Sequence, residues 1–179
     1  MLSDEQKREI EKKATELLEQ TGYPRGEEPV DVTDMANKLG FVVGGAVFND
    51  DTDGFILIKE GTRELMGVKT DKLIGINAES TIQWKRFVIA HELGHYMLHY
   101  KSGKMYAHRD HKKGKDDIEN AADYFAANIL LPTEQFKKKY LELMEKKLSF
   151  EDCVLLLMTK FNTTHEIVTR RIKELNLSE

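Results

Sequence analysis

Apolar residues recur at helical spacing near the start of the chain, where Ile10, Ala14, Leu17 and Leu18 form one stripe among charged neighbours. Ser3 and Gln6 stand ahead of it as a capping box, and Gly22 with Pro24 stops it, so a helix is predicted over 3–20. After a loop at 23–29, a shorter helix is predicted over 32–39, closed by Gly40. The pattern then shortens to that of strands. Four are predicted, over 41–48, 55–59, 65–68 and 73–77, and turn clusters at 49–54 and 60–63 separate the first three as hairpins.

Helical periodicity returns at Ser80 or Thr81, either of which caps a helix running to about 99 or 100. In its central part Val88, Ile89, Ala90, Leu93, Gly94, Tyr96 and Met97 are all uncharged, which marks a helix buried nearly all round. A second helix, with Ile118, Ala122, Phe125, Ala126 and Ile129 on one stripe, ends at Pro132. Three more follow, over 133–146, 150–160 and 164–175, with Ser149–Asp152 and Thr163–Glu166 as capping boxes. The predicted class is α+β. A small antiparallel or mixed sheet of three or four strands packs on the buried helix and its successor, and C-terminal helices complete the chain.

Composition narrows the setting. At 179 residues the chain fits one domain, 1–179, with N-terminal helices in 1–40, the sheet and buried helices in 41–132, and C-terminal helices in 133–179. Its hydrophobic share of 40% and charged share of 32% are those of a soluble globular protein, and a net charge of −4 argues against a global polyanion-binding surface. The single Cys153 excludes an internal disulfide and fits a reducing cytoplasm. Its place in an apolar run makes it a packed thiol rather than a nucleophile. The charged start, Ser3 to Arg8, has no secretory pattern, and the apolar run at 153–158 is too short to span a bilayer, so no membrane association is expected.

The chemistry lies in the buried helix, which carries His91-Glu92-Leu93-Gly94-His95. Two histidines four apart on a helix lie about 40° apart around the axis and about 6 Å apart along it, close enough to share one metal ion. The glutamate beside the first can act as a base on an activated water, as in metalloproteases. Buried imidazoles and a buried carboxylate are costly unless paired or bound to metal, which favours Zn2+ over a decorative surface pair. A three-histidine site is excluded, because Leu98 and Lys101 occupy the positions where its glycine and third histidine would stand. His99 continues the same row, but three ligands along one row point nearly parallel and cannot close a tetrahedron, so it reads as a hydrogen-bonded rim histidine. The third ligand must come from the next helix. There Glu119 and Asp123 share one face, Glu119 as the favoured ligand and Asp123 as acceptor from the far nitrogen of a ligating histidine. Around them Ala121, Ala122, Ala126 and Ala127 give a slim surface for close packing.

These residues together resemble the ImmA/IrrE family of zinc metallo-endopeptidases. The likeness is carried by the His-Glu-x-x-His helix, by the run from Glu119 through Phe125-Ala126-Ala127 to Leu130-Leu131-Pro132, and by Ile74 to Asn77, Arg86-Phe87 and Leu98-His99. It extends over about 30–132. Asp123 stands where the family pattern usually has Asn, and Ile129 where it has Leu; Asp and Asn both accept a hydrogen bond from imidazole. The resemblance implies a zincin-like core, zinc held by His91, His95 and Glu119, and Glu92 as the catalytic base. It also implies a protein substrate, a helix-turn-helix transcriptional repressor in a mobile-element or stress-response circuit. The rival reading is a zinc-stabilised regulator that binds a protein or DNA without hydrolysis.

Four further features carry expectations. Asn49, Asp51, Asp53, Gly54 and Glu60 fall at EF-hand spacing, but the flanks read as strands, so a solvated hairpin turn is expected instead of a calcium loop. The basic stretch 101–115 reads as a solvated loop, with a lid carrying Tyr106, His108 or His111 as the sharper reading. The last two helices have the look of a helix-turn-helix in which Arg170, Arg171 and Lys173 could touch phosphate. Glu166, Glu174 and Glu179 dilute that charge, so packing or protein docking is favoured and direct nucleic-acid binding is not expected. An extended substrate is expected to pair with an edge strand beside the cleft, that ending at Asn77.

Overall fold

The computed structural model describes residues 2–23, 29–48, 51–65, 67–110 and 116–177. Among these residues, seven helices and four strands follow in the order α1 (Asp4–Gln20), α2 (Val32–Lys38), β1 (Val42–Ala46), β2 (Thr52–Leu65), β3 (Val68–Asn77), α3 (Ile82–His99), β4 (Met105–Asp110), α4 (Asp117–Leu130), α5 (Thr133–Glu145), α6 (Phe150–Phe161) and α7 (His165–Glu174). The first four helices begin at side-chain caps. Ser3 closes a complete capping box with Gln6 on α1, Asp31 caps α2, Thr81 caps α3 and Asp116 caps α4. Among the described residues no helix is long and apolar enough to cross a membrane.

The sheet is mixed, as expected, but its order is β1-β3-β2-β4, with β1 parallel to β3 and the other pairs antiparallel. Three strand-level expectations give way. First, β1 and β2 form no hairpin; β3 lies between them. Leu73, Ile74 and Gly75 of β3 are all buried, as a central strand requires, whereas β1 is only half-buried and suits an edge. The strand ending at Asn77 is therefore interior, and among the described residues the edge strands are β1 and β4. Second, the predicted strand 65–68 is the hairpin turn itself. Leu65 pairs with Val68, and Gly67 supplies the positive φ of 77° between them. The turn chemistry of Glu60 and Gly61 builds a bulge within β2, where the register slips between Ile58 and Arg63. Third, part of the basic stretch is strand β4. Its polar residues hide an alternation in which Met105 and Ala107 pack on the core while Tyr106 stays exposed. His111 lies outside the described residues.

The solvated turn expected at 49–54 in place of a calcium loop gives way as well. Asp53 is buried in β2 and accepts a hydrogen bond from Trp84 Nε1 at 2.9 Å. Gly54 to Glu60 is extended strand, so Glu60 cannot fold back on Asp53. Asn49 lies outside the described residues.

One face of the sheet, through Ile56, Ile58 and Ile74, packs on α3, whose Phe87, Val88, Ile89, Ala90 and Leu93 are buried. A Cβ at Gly54 would lie 2.4 Å from Val88 Cγ1 and 2.8 Å from Gly75 O, so only glycine lets β2 cross this close to α3. On its other side α3 meets α4, which in turn packs against α1 through a hydrogen bond from Tyr124 OH to Glu11 Oε1 at 2.5 Å. That bond and burial push the Tyr124 hydroxyl up to about 12, burial being the larger cause.

The C-terminal helices dock back onto this centre. Asn162 adopts the left-handed conformation that ends α6, its Oδ1 accepts from Gln83 Nε2, and its carbonyl accepts from Arg86 Nε. Thr163 N–H bonds Met158 O in the same turn, so the cap of α7 falls on Thr164 and not on Thr163. Arg170 and Arg171 bond within the fold: Arg170 donates to Asp123 and Glu174, and Arg171 is fully buried and donates to Leu131 O, Asn128 Oδ1 and Thr133 Oγ1.

Candidate metal centre

Close approach of α3 and α4 sets the site. A Cβ at Gly94 would come within 3.1 Å of Ala122 Cα and O and 3.3 Å of Phe125 Cβ. Glycine on one helix and alanine on the other thus bring the backbones near enough for short polar side chains to meet. Gly94→Ala would push the helices apart by a few tenths of an ångström. It is expected to lower stability by about 1–3 kcal/mol, read from a denaturant midpoint, and to weaken metal uptake with it. An unchanged midpoint would show that the interface yields elsewhere.

Across this interface His91 and His95 face Glu119. The two histidine Nε2 atoms are 3.0 Å apart, and they lie 3.2 and 3.1 Å from the two Glu119 carboxylate oxygens. His91 and His95 are buried and Glu119 is half-buried, opening the group to the outside on one side. A zinc-sized ion with four ligands at about 2.0–2.1 Å needs donors about 3.4 Å apart. The three donors, 3.0–3.2 Å apart, stand close to that spacing. They are the one such group among the described residues, and two imidazoles with one carboxylate suit a divalent metal ion that keeps an open position. Burial alone would raise the Glu119 carboxyl, but hydrogen bonds from His91 and His95, and their charge, hold it well below the usual carboxylate range.

The far nitrogen of His91, Nδ1, donates to Asp123 Oδ1 at 2.9 Å. Asp123 is fully buried. This bond orients the ring so that Nε2 turns toward Glu119. Glu92 is also fully buried, directly beside His91 on α3. His99 is outside the donor group; burial first, then His95, lowers its pKa, against a hydrogen bond to the Ile118 backbone.

One participant is not anticipated from the sequence. Arg170 of α7 donates from Nη1 to Asp123 Oδ2 at 3.0 Å and from Nε to Glu174 Oε1 at 2.8 Å. Burial opposes its charge, but Glu174 and Asp123 outweigh burial and raise its pKa. The signal was Asp123 itself, because an acid in an alanine-rich buried helix calls for a cation within reach.

The sequence of residues 50–173 matches the family described as the IrrE N-terminal-like domain, a family of metallopeptidases. The chain is also similar to Metallopeptidase ImmA of Bacillus subtilis (strain 168), 39% identical over 62 residues. That stretch is 35% of this chain and 36% of the relative, so the match spans about a third of the relative's length.

Proposed function

The chain belongs to the IrrE N-terminal-like family of metallopeptidases, and on that premise we propose that it is a zinc-dependent endopeptidase of a protein partner, with residues 1–179 acting as one domain. The observation that carries the reading is the meeting of His91, His95 and Glu119 beside the buried Glu92. His91, His95 and Glu119 would hold the ion. Bound there, zinc would lower the pKa of a water to about 7 and polarise a carbonyl.

The remaining work falls to the chain's own residues. Glu92 takes the proton of the attacking water and passes it to the leaving amine. Asp123 keeps the His91 ring oriented so that Nε2 faces the site. An extended peptide pairs with the edge strand β4, which joins the two ligand helices. The finer substrate reading, a helix-turn-helix repressor cut in the cytoplasm, is supported by the family resemblance alone.

Glu119→Ala is the direct test. It removes one of three ligands and is expected to leave purified protein with little bound zinc by elemental analysis, and with no proteolysis. Full zinc occupancy in Glu119→Ala would place the ion elsewhere. Zinc bound by the wild type without cleavage of any offered protein partner would favour the non-proteolytic regulator.

A further inference from the structure

We propose that Arg170, on α7, is a positioning residue of the metal centre, acting through Asp123 on His91. The inference rests on the metal-binding reading above. The geometry is a continuous polar chain across three helices. His91 Nδ1 donates to Oδ1 of Asp123 at 2.9 Å, while Arg170 Nη1 donates to Oδ2 of the same carboxylate at 3.0 Å. With a donor on each oxygen, the plane of the carboxylate is fixed, and so is the ring that hydrogen-bonds to it. Arg170 is itself held in place. Glu174 accepts from Arg170 Nε at 2.8 Å and lies 3.5 Å from Arg171 Nη1, and Arg171 is buried and bonded to α4 through Asn128 Oδ1. The position of α7 is thereby transmitted to the orientation of a metal ligand on α3.

A purely structural role makes a different claim. If Arg170 only fastened α7 to α4, its loss would lower stability and leave the metal affinity of folded molecules unchanged. The two are separated by measuring zinc affinity by competition with a chromophoric chelator, together with the visible spectrum of the Co2+-substituted protein. The variants are Arg170→Gln, Arg170→Lys and Asp123→Asn, alone and combined, with His91→Ala as control. Arg170→Gln is expected to weaken zinc binding by about 10-fold or more, within the range seen when partners of ligating histidines are removed, and to change the Co2+ spectrum. Arg170→Lys, which keeps a cationic donor, is expected to recover part of that loss. In the Asp123→Asn background the side-chain amide turns a donor toward Arg170, so Arg170→Gln should there cost no further affinity.

Equal zinc affinity in wild type and Arg170→Gln would overturn the inference. So would an equal loss from Arg170→Gln in the wild-type and Asp123→Asn backgrounds, because Arg170 would then not be acting through this carboxylate. If His91→Ala bound zinc as tightly as wild type, the metal reading itself would fall, and this inference with it; that result is distinguishable from the others.

Discussion

Glu92→Gln is expected to reduce peptide-bond cleavage by about two to four orders of magnitude, the contribution of a positioned general base, while zinc content and unfolding midpoint stay near those of the wild type. The substitution keeps the shape of the side chain and one acceptor oxygen, and removes only its capacity to take and return a proton. The three ligand side chains, His91, His95 and Glu119, are left in place by this substitution. A carboxylate with no exposed surface is costly to keep in a protein interior, and functional sites are where such costs are carried. The measurement is a cleavage time course on a protein substrate beside elemental analysis of the same samples. Cleavage by Glu92→Gln at the wild-type rate would show that another group takes the proton.

The largest stability effect is expected at Arg171. Arg171→Met replaces the guanidinium with an apolar side chain, so the buried Leu131 O and Asn128 Oδ1 and the half-buried Thr133 Oγ1 lose their shared donor and Glu174 loses one of its two arginines. Breaking a buried charged network from one side costs about 3–5 kcal/mol, which for a chain of this size lowers the melting temperature on the order of 10 °C. Thermal melts and denaturant titrations read this directly. A loss under about 1 kcal/mol would mean that apolar packing of Val168 and Ile172, both buried, suffices to hold α7.

Much of this arrangement is legible in the residues. The helices of the site are readable because their apolar stripes, caps and breakers are local, and because i and i+4 spacing puts His91 with His95 and Glu119 with Asp123 on shared faces. Thr81 caps where the chain says it should. Sheet order is not legible in the same way. Which strand neighbours which depends on burial over both faces of β3, and no local turn signal encodes it. β4 escapes because a short edge strand set within a stretch rich in basic residues looks like a loop. The cluster Glu60-Gly61-Thr62 does contain turn chemistry, but that chemistry is spent on a bulge. Arg170 is misread for a simpler reason. An arginine near the end of a short helix suggests a partner in solvent, and its acid lies far away in sequence, inside another helix.

That distance has a consequence for how the chain reaches its native state. The Arg170–Asp123 bond spans 47 residues, the Gln83–Asn162 bond 79, and the Tyr124–Glu11 bond 113. Contacts so remote along the chain form late, after the loop entropy between them has been overcome. During synthesis the N-terminal part emerges first. A ribosome-bound chain extended only to α6 holds both histidines and Glu119 but lacks the arginine that faces Asp123. The carboxylate behind His91 gains its second anchor only once α7 has emerged, so a nascent chain can gather its ligands before it can hold them in their final orientation.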